Sequence, residues 1–389
     1  MVDILLEILL AIGRFFVNPV FYLAILMAIF LGYRRVKRER KFFKRRILWG
    51  WSEFIGLLKE GIWLSIVISF LLLLLGVTQA TEVLLFVTAF SMIGLIFYIF
   101  HFLSPIVLAA LSVATLFLMD VQNWSFQLFG MTIGGIDVFE GAALTATLAA
   151  GLLLIAESML IKKYGMEYAS PILEKSKRGL SGVAFFSKKL WLLPIFLLVP
   201  GDVIQAYAPW WPQFSLGHDQ FSLVLFPVVI GFQQMTRRSL PLYTYPKLSR
   251  AVLLLGELVI IGGLVGFFYP IVAFMTLLVG AFCRLMISFL YKVRERRDVY
   301  AVSAKSHGVM IVAVLPDSPA EKMGLKTGEV IRKVNGMPVH NELELYKAIQ
   351  INAAHCKLEV LDHQNELRLT QHVVYSKDHY RIGLLVAEK

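Results

Sequence analysis

The chain has 389 residues, of which 58% are hydrophobic and 17% charged, with two cysteines and a formal net charge of +11. Soluble domains carry about 45–50% apolar and about 25% charged residues, so a wholly soluble fold is excluded; two cysteines also build no disulfide framework. Residues 301–389 hold 11 Lys and Arg against 10 Asp and Glu, so the positive excess lies in the apolar part, in short segments between hydrophobic runs. That is the charge bias of a membrane protein, and it needs no nucleic acid.

Taken in chain order, Met1 to Ile12 is apolar but too short to span about 30 Å of hydrocarbon. Asp3 and Glu7 are four residues apart on one helical face, which fits an interfacial helix. The start lacks a basic region and a small-residue cleavage site, so it does not read as a signal peptide. Helical spans are predicted over Phe15–Tyr33, Ile62–Gln79, Glu82–Phe100, Ser104–Met119 and Phe139–Ile161. Further runs are Leu190–Tyr207, Phe221–Met235, Ala251–Tyr269 and Pro270–Tyr291. The Phe221–Met235 run is short and contains Pro227, and the last two runs are also readable as one hairpin bent at Tyr269-Pro270. The count is about eight or nine spans.

Basic clusters follow alternate runs. They are Arg34 to Arg46; Lys162, Lys163, Lys175, Lys177, Arg178, Lys188 and Lys189; Arg237, Arg238, Lys247 and Arg250; and Lys292, Arg294, Arg296 and Arg297. The intervening loops, Asp120 to Asp137 and Ala208 to Gln220, are nearly free of Lys and Arg and hold Trp124, Trp210 and Trp211. The basic side is therefore expected in the cytoplasm, and everything after Arg297 with it. The predicted organisation is an α-helical polytopic membrane domain, residues 1–298, and a small cytoplasmic α+β domain, residues 299–389.

The tail alternates short strands and turns. Gly308–Leu315 is rich in β-branched residues and predicts a strand. Ser318 caps a short helix, Pro319 suits its first position, Glu321 completes a capping box and Gly324 ends it. Gly328-Glu329-Val330-Ile331 opens another strand, and Asn335-Gly336 signals a tight turn. Leu343, Tyr346 and Ile349 share one face of a helix from about Glu342 to Asn352. Lys357–Leu361 and Glu366–Val374 form a hairpin about Asp362-His363-Gln364-Asn365, and Arg381–Ala387 is the last strand.

Ser318-Pro319-Ala320, Gly324-Leu325, Gly328-Glu329-Val330-Ile331 and Asn335-Gly336, in this order, resemble the bacterial PDZ family, with Glu329 where the family usually has Asp. The resemblance covers about Val299 to Lys389 and implies a peptide-binding module. A partner segment would add as a strand beside the groove helix, its carboxylate held by backbone donors. The groove residues it implies are Leu343, Tyr346 and Lys347 on the helix and Ile382, Gly383 and Leu384 at the carboxylate loop. Leu343 and Tyr346 are expected to serve core and groove together. Tyr300-Ala301-Val302 is the alternative loop, and a domain kept only for packing or dimerisation is the alternative use.

Catalytic patterns are thin. No His-Glu-x-x-His occurs, and His340-Asn341-Glu342 is the nearest string. Gly179-Leu180-Ser181-Gly182 matches a rhomboid pattern, but it lies in a Lys-rich loop, and His218 lies in a loop predicted for the opposite side. Glu157 and Glu257 are the deepest acids of the spans. Glu157 reads as interfacial beside Lys162 and Lys163, Glu257 as snorkelling or pairing toward Arg250, and no transporter-like repeat supports them. Cys283 and Cys356 read as free, packed thiols. No metal ligands or cofactor motif are found.

The short N-terminal run before Tyr33-Arg34-Arg35-Val36-Lys37-Arg38-Glu39-Arg40, the multi-span body and the PDZ-like tail together resemble the MinJ family of division-site topology proteins. Within the tail, Glu344-Leu345-Tyr346-Lys347-Ala348 and Lys357-Leu358-Glu359-Val360-Leu361-Asp362 add to the likeness. It implies a non-enzymatic adaptor of the Gram-positive cell membrane, enriched at septa and poles. Its implied partners are a DivIVA-like scaffold, MinD of the MinCD inhibitor of FtsZ rings, other divisome proteins and the lipid bilayer, with homo-oligomerisation open. A PDZ-containing membrane protease or its regulatory subunit, and a transporter with a regulatory PDZ domain, are the alternative readings.

Overall fold

The computed structural model describes residues 2–389 apart from 129–130, 136, 176–180, 206–210, 217–219, 296–299, 304–307, 353–354, 374–381 and 388–389. Gly179-Leu180 of the rhomboid-like string, His218, Trp210, Lys177, Arg178, Arg296, Arg297 and Arg381 thus lie outside the described residues. Helices α1 (Val2–Val17), α2 (Pro19–Phe43), α3 (Ser52–Lys59), α4 (Ile62–Leu75), α5 (Thr81–Ile96) and α6 (Pro105–Val121) come first. A small hairpin, β1 (Phe126–Leu128) and β2 (Met131–Ile133), precedes α7 (Ala143–Tyr164). Strands β3 (Ser170–Lys175), β4 (Ser181–Gln205) and β5 (Gln220–Thr236) follow, then α8 (Pro241–Gly266), α9 (Pro270–Arg294) and β6 (Val302–Ser303). The tail adds β7 (Val309–Val314), α10 (Pro319–Lys322), β8 (Val330–Val334), β9 (Met337–Pro338), α11 (Glu342–Ile351), β10 (His355–Leu361), β11 (Leu367–Val373) and β12 (Leu384–Val386).

The boundaries follow local chemistry. Asn18 Oδ1 accepts from the Val20 amide at 3.0 Å, and Pro19 occupies the first turn of α2. Gly76 stops α4 in a left-handed conformation, φ +64. Among the described residues five helical stretches are long and apolar enough to cross a membrane: α2, Ser52–Leu75, Val138–Tyr164, α8 and α9. α5 and α6 are apolar but shorter.

The runs Leu190–Tyr207 and Phe221–Met235, expected as helical spans, are instead the two strands of one long antiparallel hairpin, so the expected eight or nine helical spans do not stand. Pro194, Pro200 and Pro227 lie inside the two runs, where a helix would lose a hydrogen bond at each. In the hairpin Pro194 faces Pro227. Neither can donate, so this pair fits only a non-hydrogen-bonded position of the ladder, and every second residue from it turns its backbone polar groups outward.

Those outward groups need partners in an apolar body. Phe196 donates to Ser69 Oγ at 2.9 Å, and the Leu198 carbonyl accepts from the Gln79 amide at 2.7 Å. On the other edge Gly231 donates to the Leu103 carbonyl at 2.9 Å. The Leu223 amide donates to Glu7 at 3.1 Å, and its carbonyl accepts from Arg14 at 2.9 Å. Each of the four strand residues is an even number of positions from its proline. The last pair of bonds also turns Glu7 inward: α1 packs on β5, and Glu7 is buried.

The body core gathers residues of α4, α6, α7, α8 and α9 about the hairpin. α7 and α8 meet through Gly151 and Gly256, and Ser158 and Ser249 donate to each other's carbonyls at 2.9 and 3.0 Å. Glu157 is not interfacial. It is fully buried, accepts from Ser104 at 2.7 Å and pairs with Arg284, whose Nε lies 3.0 Å away and whose Nη1 donates to Ser288. Glu60 collects Lys189 at 2.9 Å, Trp191 Nε1 at 2.6 Å and Tyr168 at 2.7 Å. Glu257 is exposed on α8 beside exposed Leu258.

The C-terminal domain docks on the end of the body where the basic segments gather. Met310, Val312, Ala313, Val330, Leu385 and Ala387 share one apolar cluster with Val183 and Phe185 of β4, Leu240 and the partly buried Phe43 and Ile47. β6 pairs with β4 through Gly182 and Val183, and Glu295 accepts from the amides of Arg237 and Arg238 at 2.8 Å each.

Removing one partner of a buried ion pair leaves the other uncompensated, which costs about 3–5 kcal/mol, whereas an apolar pair of similar volume is often neutral. Glu157→Gln should therefore lower the thermal unfolding midpoint of the detergent-solubilised chain markedly. Glu157→Leu combined with Arg284→Met should recover most of the loss. A single variant as stable as the parent would show that the pair carries no such role.

Candidate functional site

The tail folds as the local signals require. Ser318 Oγ accepts from the Glu321 amide at 3.3 Å, while Glu321 Oε2 accepts from Asp317 at 2.6 Å, one residue further back than a standard capping box. Asn335 and Gly336 take φ +51 and +83 and join β8 to β9. Glu329, in the place of the usual Asp, accepts from the Lys326 amide at 2.9 Å and holds Arg368 at 2.9 Å. It thus fixes the turn before β8 and ties it to β11. Asn341 Oδ1 caps α11 through the Glu344 amide at 2.8 Å.

The sheet order is β11-β10-β8-β7-β12, so β12 is its edge, antiparallel to β7, with Leu384 opposite Val314. The C-terminal segment thereby lies beside a strand some seventy residues earlier in the chain. Ile382, Leu384 and Val386 share one core with Leu345, Ala348 and Ile349 of α11, and Tyr346 packs against it half-buried. Helix α11 and edge strand β12 therefore border the same core.

The expected site residues separate into kinds. Leu343 is 65% exposed and takes no part in the core, and Lys347 is exposed beside it. The buried face of α11 runs through Leu345, Ala348 and Ile349, so of the expected stripe only Ile349 is fully core. Burial raises the Tyr346 phenol above its ordinary pKa, Glu342 adds to the rise, and Arg45, from the segment after α2, opposes it.

Gly383 takes φ +84, and a Cβ there would overlap Ser318 Cβ. Its carbonyl accepts from the Leu315 amide at 2.9 Å, and the Ile382 carbonyl accepts from Ala320 at 2.9 Å. The loop is thus pinned through its carbonyls to the end of β7 and to α10; a carboxylate would need its N–H groups. The alternative loop, Tyr300-Ala301-Val302, instead runs into β6, and the Ala301 amide donates to the Arg237 carbonyl at 2.8 Å.

Two contributors escaped sequence reasoning. Ser318, read only as a cap, also closes off the space at Gly383. Leu385, one residue beyond the expected loop, turns to the body rather than to the core. Strict alternation along β12 was the available signal for Leu385. Cys356 is buried, its thiol pushed up to about 11 by burial, so it stays protonated and inert. Among the described residues no group of three His, Cys, Asp or Glu side chains could hold a metal.

The PDZ domain model matches residues 310–361. Over 380 residues, 98% of this chain and 95% of the relative, the chain is 29% identical to "Cell division topological determinant MinJ" of Bacillus subtilis (strain 168). A "Probable cell division topological determinant MinJ" of Lacticaseibacillus paracasei is 24% identical over 390 residues, 95% of this chain and 96% of that one. A "Probable periplasmic serine endoprotease DegP-like" of Marinomonas sp. (strain MWYL1) is 51% identical, but over only 41 residues, 10% of this chain and 9% of the protease.

The geometry predicts that Leu343→Asp leaves unfolding unchanged within about 0.5 kcal/mol, whereas Leu345→Ala destabilises the tail by about 2–5 kcal/mol. Gly383→Val should also destabilise it, because both the backbone angle and Ser318 oppose a side chain. Denaturant unfolding followed by proteolysis of the tail checks all three; equal stability of Leu343→Asp and Leu345→Ala would overturn the assignment of faces.

Proposed function

For a chain that is MinJ-like along nearly its whole length, we propose the role of a non-enzymatic membrane adaptor in division-site selection. The full-length likeness to two proteins named as division topological determinants carries this reading. In it the apolar helices hold the body in the cell membrane, and the basic end, with the PDZ domain on it, faces the cytoplasm. The protein bridges a DivIVA-like scaffold to the MinCD inhibitor at septa and poles. One partner segment adds as a strand along the β12 edge beside α11, with a terminal carboxylate at the amides about Gly383. Two faces of the domain then do different work: Met310, Val312 and Leu385 dock on the body, which leaves the α11 side for the partner. The similarity to the DegP-like protease covers 10% of this chain and 9% of the protease, and supports no more than a shared binding module.

Localisation and topology test the proposal together. A fluorescent fusion should concentrate at division septa in dividing cells, and Lys347→Glu should keep that position while losing recruitment of a Min component. An even signal along the membrane contradicts the adaptor role. In intact cells a cysteine at Gln364 should be protected from an impermeant thiol reagent and one at Gln122 labelled; the reverse pattern places the domain outside.

A further inference from the structure

We infer that the basic end of the body holds a binding site for a phosphate-bearing anionic group, built by Arg34, Lys37, Arg38 and Lys41 of α2 with Lys188 of β4. These five cations line one open cavity of about 720 Å³ together with Tyr98, and among the described residues no carboxylate lines it. The sixth cation of the cavity, Arg35, is already answered. It pairs with Glu53, and its Nη1 lies 2.9 Å from Glu39. None of the other five forms an ion pair among the described residues.

Their positions are set by contacts that orient charge without neutralising it. Arg38 stacks on Phe186, with Cζ 4.7 Å from the ring centre, and its Nε is buried with no hydrogen-bond partner. Arg34 lies over Tyr98 at 5.4 Å, and Lys188 donates to the Tyr98 carbonyl at 3.0 Å. Aromatic faces attract cations without neutralising their charge. Five like charges converging on one space repel one another, and an unanswered buried donor adds a desolvation cost. An anion with several acceptor oxygens relieves both, and arginine forks match phosphate geometry.

The level of the cavity selects the source. α2 is apolar from Pro19 to Tyr33 and basic from Arg34 to Lys41, so the cavity opens where its membrane-facing part ends. Leu31 and Phe42 line it beside the cations, and Phe30 and Tyr33 are exposed next to it. A headgroup phosphate seated there would leave its acyl chains along the apolar part of α2. Basic pockets at this depth hold anionic headgroups.

The test uses the full chain purified in a neutral detergent. Its thermal midpoint and retained lipid adducts are followed on adding dioleoylphosphatidylglycerol, dioleoylphosphatidylcholine or inorganic phosphate. The expected result is stabilisation and retention with phosphatidylglycerol and neither with phosphatidylcholine. Equal stabilisation by inorganic phosphate at matched concentration supports the same site with a soluble source. Each removed charge should weaken binding about fivefold. Lys37→Gln with Lys41→Gln, both exposed, should therefore weaken it about 25-fold. Adding Lys188→Gln should bring the loss to on the order of a hundredfold. The exposed double variant carries the test if the triple variant does not fold. No response to either phosphate source, an equal response to phosphatidylcholine, unchanged binding in the double variant, or stabilisation by an acidic peptide alone each overturns the inference.

Discussion

A strand pair inside an apolar body survives only if the backbone groups along both of its edges are answered by protein, because hydrocarbon offers no partner. The rest of this structure is arranged around that constraint. The hydroxyl of Ser69 inside α4, the amide of Gln79 between α4 and α5, and the carbonyl of Leu103 between α5 and α6 all end on the hairpin. The N-terminal helix is held there by the same demand, through Glu7 and Arg14 on Leu223. The end of the run expected as one span, Val77 to Gln79, leaves the helix at Gly76 to meet the hairpin: Val77 and Thr78 form bridges to Phe214 and Leu198.

The hairpin also connects the two functional ends of the molecule. β4 begins against the PDZ domain, where Gly182 and Val183 pair with β6, and continues past Lys188 at the basic cavity into the apolar core at Trp191 and Ile195. The docking cluster and the cationic cavity therefore share one rigid element. An adaptor that must hold a binding domain at a membrane surface gains from such a mount, because less orientational freedom is lost when a partner binds.

Much of the tail was legible because its signals are local. Ser318-Pro319 and Asn335-Gly336 each dictate their own cap or turn within four residues. Gly383 was legible only as part of the carboxylate loop that the resemblance implies; its seat against Ser318 was not, since that contact joins residues 65 positions apart. The face of α11 was read from Leu343 and Tyr346, yet burial follows Leu345, Ala348 and Ile349, because the direction from which the sheet approaches is a tertiary fact. The hairpin was misread for a different reason. A run of about 18 apolar residues is long enough for a helix through a bilayer, and membrane helices tolerate proline when neighbours answer the freed groups. Pro194 and Pro227 held the signal, but it becomes decisive only when the two are seen to face each other.

The strand pairing within the body is the feature on which the fold, the docking of the PDZ domain and the cationic cavity all rest. Disulfide trapping reads it directly. With Cys283 and Cys356 replaced by serine, cysteine pairs are placed at Phe196 with Leu225 and at Leu192 with Val229, opposed residues of the ladder. In non-hydrogen-bonded positions their Cα atoms lie about 4.5 Å apart, within disulfide reach. Both pairs should cross-link rapidly on mild oxidation of membranes, while Phe196 with Val229 should not. Two helices joined at the 208–220 loop would set each opposed pair at different depths, so failure of both pairs to cross-link would contradict the account.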